Sequence, residues 1–312
     1  YTVGGSLVRL CFAGPALLGR VTPALEHLAT IPGSDPALTV CLWDSQSTGV
    51  PLPAPDRLPV EPGGAGDRSG AVAVHYGVSG ALSLYDAGQH LAVFWVENAE
   101  WLPTYECGAP LLTIFHWWLR TQGCQVVHSA AVGTDEGGVL LVGKGGSGKS
   151  TTAAACLGST LRYAGDDYCA VRLAPSPRVH SLYSSGKVCA PDVPRYPHLE
   201  SALSNRARLG EEKALYYLAP HLPDALSQGF PLHAILLPRV TGSPETRAIR
   251  ISPAAGLLAL APSTLFQLPG AGSDDFERLS ALVRQVPSYA LELGTDRAAI
   301  PGVILRVLSE HW

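Results

Sequence analysis

The residues with the clearest chemistry lie at 143–150, "GKGGSGKS", which fits the pattern G-x-x-x-x-G-K-[ST]. An apolar run, "VLLV" (139–142), precedes it, and a helix-forming stretch, "STTAAACL" (150–157), follows. In that setting Gly143, Gly145, Gly146 and Gly148 permit positive φ, so successive backbone N–H groups can turn inward around an anion. The positive end of the following helix adds its dipole at the same point. Lys149 is placed to reach β- and γ-phosphates, and the Ser150 hydroxyl to ligate Mg²⁺. Lys144, Ser147 and Thr151 complete the stretch that would line a nucleoside triphosphate such as ATP. The alternative is a glycine-rich turn that matches by chance, and the flanking strand and helix argue against it.

A second cluster follows. "LRYAGDDYCAVRL" (161–173) puts Asp166 and Asp167 sixteen and seventeen residues beyond Ser150. A helix of about 10–12 residues, a turn and a strand would return them beside the phosphates. Two neighbouring carboxylates can divide the work, one holding Mg²⁺ and the other taking a proton from an attacking hydroxyl. Gly-Asp-Asp is also ordinary turn chemistry. His128, in "VVHSAAV" (126–132), lies fifteen residues before Gly143. It could serve the same site, although a lone His in an apolar strand is commonly a satisfied core residue. Lys187 and Arg239 are weaker candidates for phosphate or acceptor contacts, with solvated surface charge as the alternative. Lys213, in the helical-looking "GEEKALYYL", reads as a surface residue.

Composition sets the frame around these groups. The chain has 312 residues, 46% apolar and 15% charged, which is globular rather than disordered. A formal charge of −4 gives no general pull toward nucleic acid or an anionic membrane, so neither is expected as a partner. Seven Cys without a CxxC pair suggest a reducing, cytoplasmic setting without a disulfide frame. No apolar run reaches the ~18 residues needed to span a bilayer. Ser6–Leu18 is interrupted by Arg9 and Pro15, which makes it a poor signal peptide. The absence of Met suggests a chain that lacks its own start or carries a trimmed tag.

The elements that must position the site read as two regions. Over the first hundred residues, strands are predicted at 38–44, 71–77, 81–87 and 90–97, the middle two as a hairpin, with a long exposed loop at 51–70. An apolar helix is predicted at 110–123, with Pro at its start and Gly at its end. From there to about 173, strands and helices alternate in the order of a βαβ sheet. A strand at 233–240 and helices at 252–261, 273–286 and 301–311 complete the pattern. The domain division expected is 1–105, β-rich, and 106–312, α/β around the glycine turn.

The stretch 125–173, about a sixth of the chain, resembles the catalytic domain of HPr kinase/phosphorylase and its related serine kinases. The resemblance rests on the spacing of His128 to Gly143 and of Ser150 to Asp166 and Asp167. It implies an ATP- and Mg²⁺-dependent serine kinase, with Asp166 as general base and Asp167, with Ser150, near the metal. Lys149 and His128 would complete the catalytic set. The fold implied is α/β: a P-loop kinase core with a mixed sheet, preceded by a small β-rich N-terminal domain. Stretches such as "RVHSLYSSGKV" (178–188) and "LAPSTLFQLPG" (260–270) are similar to the related kinases rather than to the HPr-directed enzyme, whose Glu-x-Arg-Gly block is missing here. Some related kinases act on a precursor serine in peptide natural products, including lasso peptides. The acceptor implied is a serine of a peptide or protein. A small-molecule hydroxyl, or a P-loop ATPase or nucleotide-gated binding module, stays open as an alternative. The resemblance also leaves a homo-oligomer open.

Overall fold

A computed structural model of the chain describes residues 1–31, 33, 35–52, 65–68 and 72–309. The N-terminal strands are β1 (Thr2–Val3), β2 (Ser6–Phe12), β3 (Leu38–Asp44), β4 (Ala65–Arg68), β5 (Val72–Tyr76), β6 (Leu82–Asp86) and β7 (Leu91–Val96). They form one sheet in the order β1-β2-β3-β7-β6-β5-β4. In β3, burial alternates along the strand, with Leu38, Val40 and Leu42 inward, as a sheet covered on one face requires. The expected hairpin is β5–β6, antiparallel.

Two features depart from the sequence reading. The segment weighed as a signal peptide contains β2, which runs parallel to β3, and β3 runs parallel to β7. The β2–β3 crossover carries α1 (Leu18–Val21) and a 3₁₀ turn at Pro23–Leu28; α2 (Ser45–Thr48) follows β3. The loop expected at 51–70 contains β4, and its residues 53–64 and 69–70 lie outside the described residues.

After α3 (Thr104–Gly108) comes α4 (Leu112–Thr121), close to where the apolar run predicts a helix. It ends ahead of Gly123, whose φ of +73° is the left-handed stop that glycine supplies. Ile114, Phe115, Trp118 and Leu119 are buried in a cluster with Val40 and Phe94 of the first sheet and Val126 and Ala170 of the second. The helix is therefore the wedge that joins the two sheets through one apolar core.

The second sheet holds β8 (Cys124–Gly133), β9 (Gly138–Val142), β10 (Arg162–Gly165), β11 (Tyr168–Arg172) and β12 (Arg178–Ser181). After β13 (Ser185–Val188) and β14 (Ala214–Tyr217), which form a separate pair, come β15 (Gly229–Val240), β16 (Arg247–Ile251) and β17 (Ser288–Leu293). The sheet is mixed, and its parallel part is β9–β15–β17. The expected βαβ order holds in sequence but not in direction, because β8 is antiparallel to β9, β10 and β11. The reason is the connection Thr134–Gly137, closed by the Thr134 N–H on the Gly137 carbonyl at 2.8 Å. That is a hairpin, whereas a parallel crossover needs about a dozen residues or more.

Helices α5 (Lys149–Cys156) and α8 (Ile300–Ser309) share an apolar cluster with β9, β15 and β17. A second cluster on this sheet holds α6 (Pro253–Leu265) and α7 (Ser273–Gln285). Helix α6 runs past its expected end and past Pro262, its last turn held by burial of Leu260, Ala261 and Thr264. The expected end of α8, beyond Ser309, lies outside the described residues. Among the described residues no helix is long and apolar enough to cross a membrane.

Candidate functional site

Strand β9, buried at every position, delivers the chain to Gly143 at the carboxyl edge of the parallel strands. Three glycines then take positive φ: Gly143 at +139°, Gly146 at +80° and Gly148 at +108°. Gly148 is required twice. Its φ favours glycine, and a Cβ there would stand 2.6 Å from Leu293 Cδ1 of β17. Gly148 is also the N-cap of α5 and supplies no side chain to cap it. The first N–H groups of α5 have no carbonyl partners within the helix and point toward the turn.

Lys149 is buried, and its ammonium donates to the carbonyls of Gly143 at 2.6 Å and Lys144 at 3.3 Å. Burial lowers its pKa, while the nearby carboxylates of Asp166 and Asp167 oppose that shift. Ser147 Oγ is buried in the same turn without a hydrogen-bond partner. Donors that fold back on their own loop, and an orphaned hydroxyl, fit an anion better than an apolar ligand.

Asp166 and Asp167 sit at the break between β10 and β11, both of which pair with β8. The Tyr168 N–H donates to the Asp166 carbonyl and the Ser129 N–H to the Asp167 carbonyl, each at 2.9 Å. Between them Asp167 takes φ +65°, a conformation that a non-glycine residue adopts at a cost of order 1–3 kcal/mol. The twist separates two adjacent side chains. Asp166 faces α5 and accepts the Ser150 hydroxyl at 3.0 Å and the Lys187 N–H at 3.2 Å. Asp167 pairs instead with the Lys187 ammonium at 2.8 Å, while its charge still reaches Lys149 at the start of α5.

The two carboxyls differ accordingly. Burial, then repulsion from Asp167, pushes Asp166 up to about 6. Burial acts on Asp167 too, but the Lys187 charge and hydrogen bond outweigh it and hold the group below the usual carboxylate range. Of the two carboxylates, Asp166 is the one that touches Ser150, which the resemblance groups with Asp167.

His128 is buried opposite Tyr168 on the neighbouring strand, the two rings 5.4 Å apart. Burial, helped by the charge on Lys149, lowers its pKa to about 4, so the imidazole is neutral at pH 7. Its Nδ1 is buried without a hydrogen-bond partner.

Lys187 is more central than its sequence context suggests. It reaches Asp167 through a gap over Gly108, where a Cβ would stand 2.8 Å from Lys187 Cε. Lys213 is exposed, as expected, yet its charge lowers the pKa of both Lys149 and Asp167. The exposed Arg239 is bound to Glu292 on β17. Lys144, Gly145 and Thr151 lie along the turn and the first turn of α5, where the motif places them.

Two cavities flank this arrangement. One, of about 610 Å³, has His128, Asp167 and Lys187 among its lining residues, along with Tyr105, Glu106 and Phe266. The other, of about 560 Å³, lies beside Thr151, between Arg195, Arg297 and the ends of β15 and β17. Sequence reasoning missed Tyr105 and Glu106. They stand in a short helix, and no motif links them to residues 60 or more positions away.

Among the described residues no three His, Cys, Asp or Glu side chains gather as a metal cage. A cation here would rest on Asp166 and Ser150 together with phosphate oxygens, which is how Mg²⁺ is commonly held.

No family model matches the chain, and no curated protein matches it. Among solved structures, the HPr(Ser) kinase/phosphatase from Coxiella burnetii is similar at 13% identity and a TM-score of 0.34, over 60% of this chain and 90% of that one. The likeness is a distant one of fold.

Proposed function

We propose that this chain is an ATP- and Mg²⁺-dependent phosphotransferase that moves the γ-phosphoryl group to a hydroxyl, most readily a serine of a peptide or protein. One observation carries the reading. At the head of a glycine-started helix, Ser150 is bound to Asp166, while the next residue, Asp167, lines an adjoining cavity with His128 and Lys187. A P-loop ATPase needs only the first half of that arrangement. A transferase needs both.

In this reading residues 143–151 are a P-loop, whose backbone N–H groups and Lys149 hold the phosphates in place. Ser150 and Asp166 would hold Mg²⁺, which offsets charge on the β- and γ-phosphates. The cavity beside Thr151 would take the nucleoside end. Asp167 accepts the hydrogen bond of the acceptor hydroxyl, orients its oxygen toward the γ-phosphorus and takes its proton. As the new O–P bond forms, the bond from the γ-phosphorus to the β–γ bridging oxygen breaks, and ADP leaves. Lys187 stands beside Asp167 where negative charge develops, and neutral His128, whose ring bonds the Ser263 backbone, lines the same cavity. The resemblance gave the base to Asp166 and the metal to Asp167; the side-chain directions favour the exchange of those two roles.

The test is transfer of label from γ-labelled ATP to serine-containing peptides, with Lys149→Ala as control. Label in a peptide that depends on Mg²⁺ and on Lys149 supports the reading. Hydrolysis with no acceptor labelled favours an ATPase, and no nucleotide binding at all overturns both.

A further inference from the structure

We infer that the cavity over Asp167 receives a polypeptide whose acceptor residue is flanked by large apolar side chains and not by acidic ones, with the N-terminal sheet forming one of its walls. The inference rests on the phosphotransferase reading and deepens it toward a substrate class.

The size of the cavity comes first. At ~30 Å³ per water its 610 Å³ would hold about twenty waters, far more room than a free serine or a small alcohol fills. It falls in the range of sites that take a ligand of drug-like size, well above a single small hydroxyl compound. Around His128, Asp167 and Lys187, three further parts of the chain contribute to its walls. The β5–β6 turn supplies Gly77, Val78 and Ser79, α3 supplies Tyr105 and Glu106, and the loop after α6 supplies Phe266.

The rim is apolar. Val78 is 90% exposed, Phe266 89% and Tyr105 51%, and all three line this one opening. Single exposed apolar side chains are ordinary, but three around one cavity mark a surface that is completed by a ligand. They come from three elements far apart in the chain, so a segment lying in the opening meets apolar contacts beside the residue that reaches Asp167.

Charge sets the second preference. The lining holds two carboxylates, Asp167 and Glu106, and one ammonium, Lys187. Lys187 is committed to Asp167 at 2.8 Å. Glu106 is fixed instead by the Ser79 hydroxyl at 3.0 Å, which ties the N-terminal hairpin to the wall of the cavity. Burial raises the pKa of Glu106, and with Lys187 committed to Asp167 the lining offers, among the described residues, no free cation to an acidic neighbour on the acceptor.

The experiment compares three acceptors under γ-labelled MgATP: Ala-Leu-Ser-Phe-Ala, Ala-Gly-Ser-Gly-Ala and Ala-Asp-Ser-Asp-Ala, with glycerol as a small hydroxyl. The expected result is a kcat/KM at least tenfold higher for the first peptide than for the second, with the third lowest and glycerol unlabelled. Phe266→Asp and Val78→Asp should each remove most of that preference while MgATP affinity and Tm stay within error. Phe266→Ala serves as a second variant should either aspartate disturb the fold. Equal labelling of all three peptides, or glycerol labelled as well as the best of them, overturns the inference while leaving the phosphotransferase reading intact. Nucleotide hydrolysis with no acceptor labelled overturns that reading and this inference with it.

Discussion

The two sides of the Asp166–Asp167 step are one residue apart and have opposite surroundings. On the α5 side, Asp166 is almost wholly buried, held by a serine hydroxyl and a backbone N–H, and carries its proton up to about pH 6. On the cavity side, Asp167 is partly open, paired with Lys187, and stays ionised. A carboxylate raised by burial, beside a hydroxyl at a helix start, gains when a divalent cation arrives to replace its proton. A carboxylate already ionised in a cavity is ready to accept a hydrogen bond. The pair teaches that a single left-handed residue at a strand break can give two successive carboxylates different surroundings.

The comparison is broken most severely at Lys149. Lys149→Ala should lower phosphoryl transfer by about 10³-fold, the loss typical of a charge aimed at the transition state, and should weaken nucleotide binding in a direct titration. Retention of transfer within tenfold would remove the α5 side from the account.

The next largest effect is at Gly108. A methyl there meets Lys187 Cε at 2.8 Å, so Gly108→Ala should push the ammonium away from Asp167. Because Lys187 Cε is near the far end of a flexible side chain, the shift should cost little stability and be read at the carboxylate it leaves. With its partner displaced, the Asp167 carboxyl should titrate at higher pH, visible by NMR of the side-chain carboxyl carbon.

Asp166→Asn gives an opposite sign. The folded pKa of about 6 exceeds the ordinary 3.8, so the folded protein keeps this proton longer than the unfolded chain does. Stability from this group is full below 3.8 and is lost as pH rises through about 6. An asparagine has no proton to lose. Without Mg²⁺, the variant should therefore be more stable than the parent by roughly 1–3 kcal/mol at pH 7.5 and equal to it at pH 3.5. A parent that is the more stable at pH 7.5 would contradict the reading of the α5 side.

The smallest effect belongs to Arg239. Its guanidinium is exposed and occupied by Glu292, and surface pairs are worth about 0–1 kcal/mol. Arg239→Ala should leave transfer within about twofold in a steady-state assay.

Much of the α5 side was legible in the sequence, because Gly143–Ser150, the following helix and the Asp pair are local and their spacing has a physical meaning. Helix α4 was legible for the same reason, as a long apolar run bounded by Pro110 and Gly123. The direction of β8 was not, since it depends on the tight Thr134–Gly137 turn rather than on strand composition. Lys187 stood out in the sequence only as a weaker candidate, and Glu106 not at all. The first joins the site through the register of β13 and the space above Gly108, and the second through a hairpin contact with Ser79. Those relations exist only after the chain is folded. The parallel strand β2 also escaped notice, because Arg9 and Pro15 in and after it obscure the apolar pattern.

The division of labour between the two carboxylates is tested most directly by titrating Mg²⁺ against ATP binding and phosphoryl transfer in Asp166→Asn and Asp167→Asn side by side. The account predicts that Asp166→Asn needs at least tenfold more Mg²⁺ for nucleotide binding, while Asp167→Asn binds MgATP as the parent does and fails in transfer. The reverse pattern, with the Mg²⁺ requirement raised by Asp167→Asn alone, would contradict it.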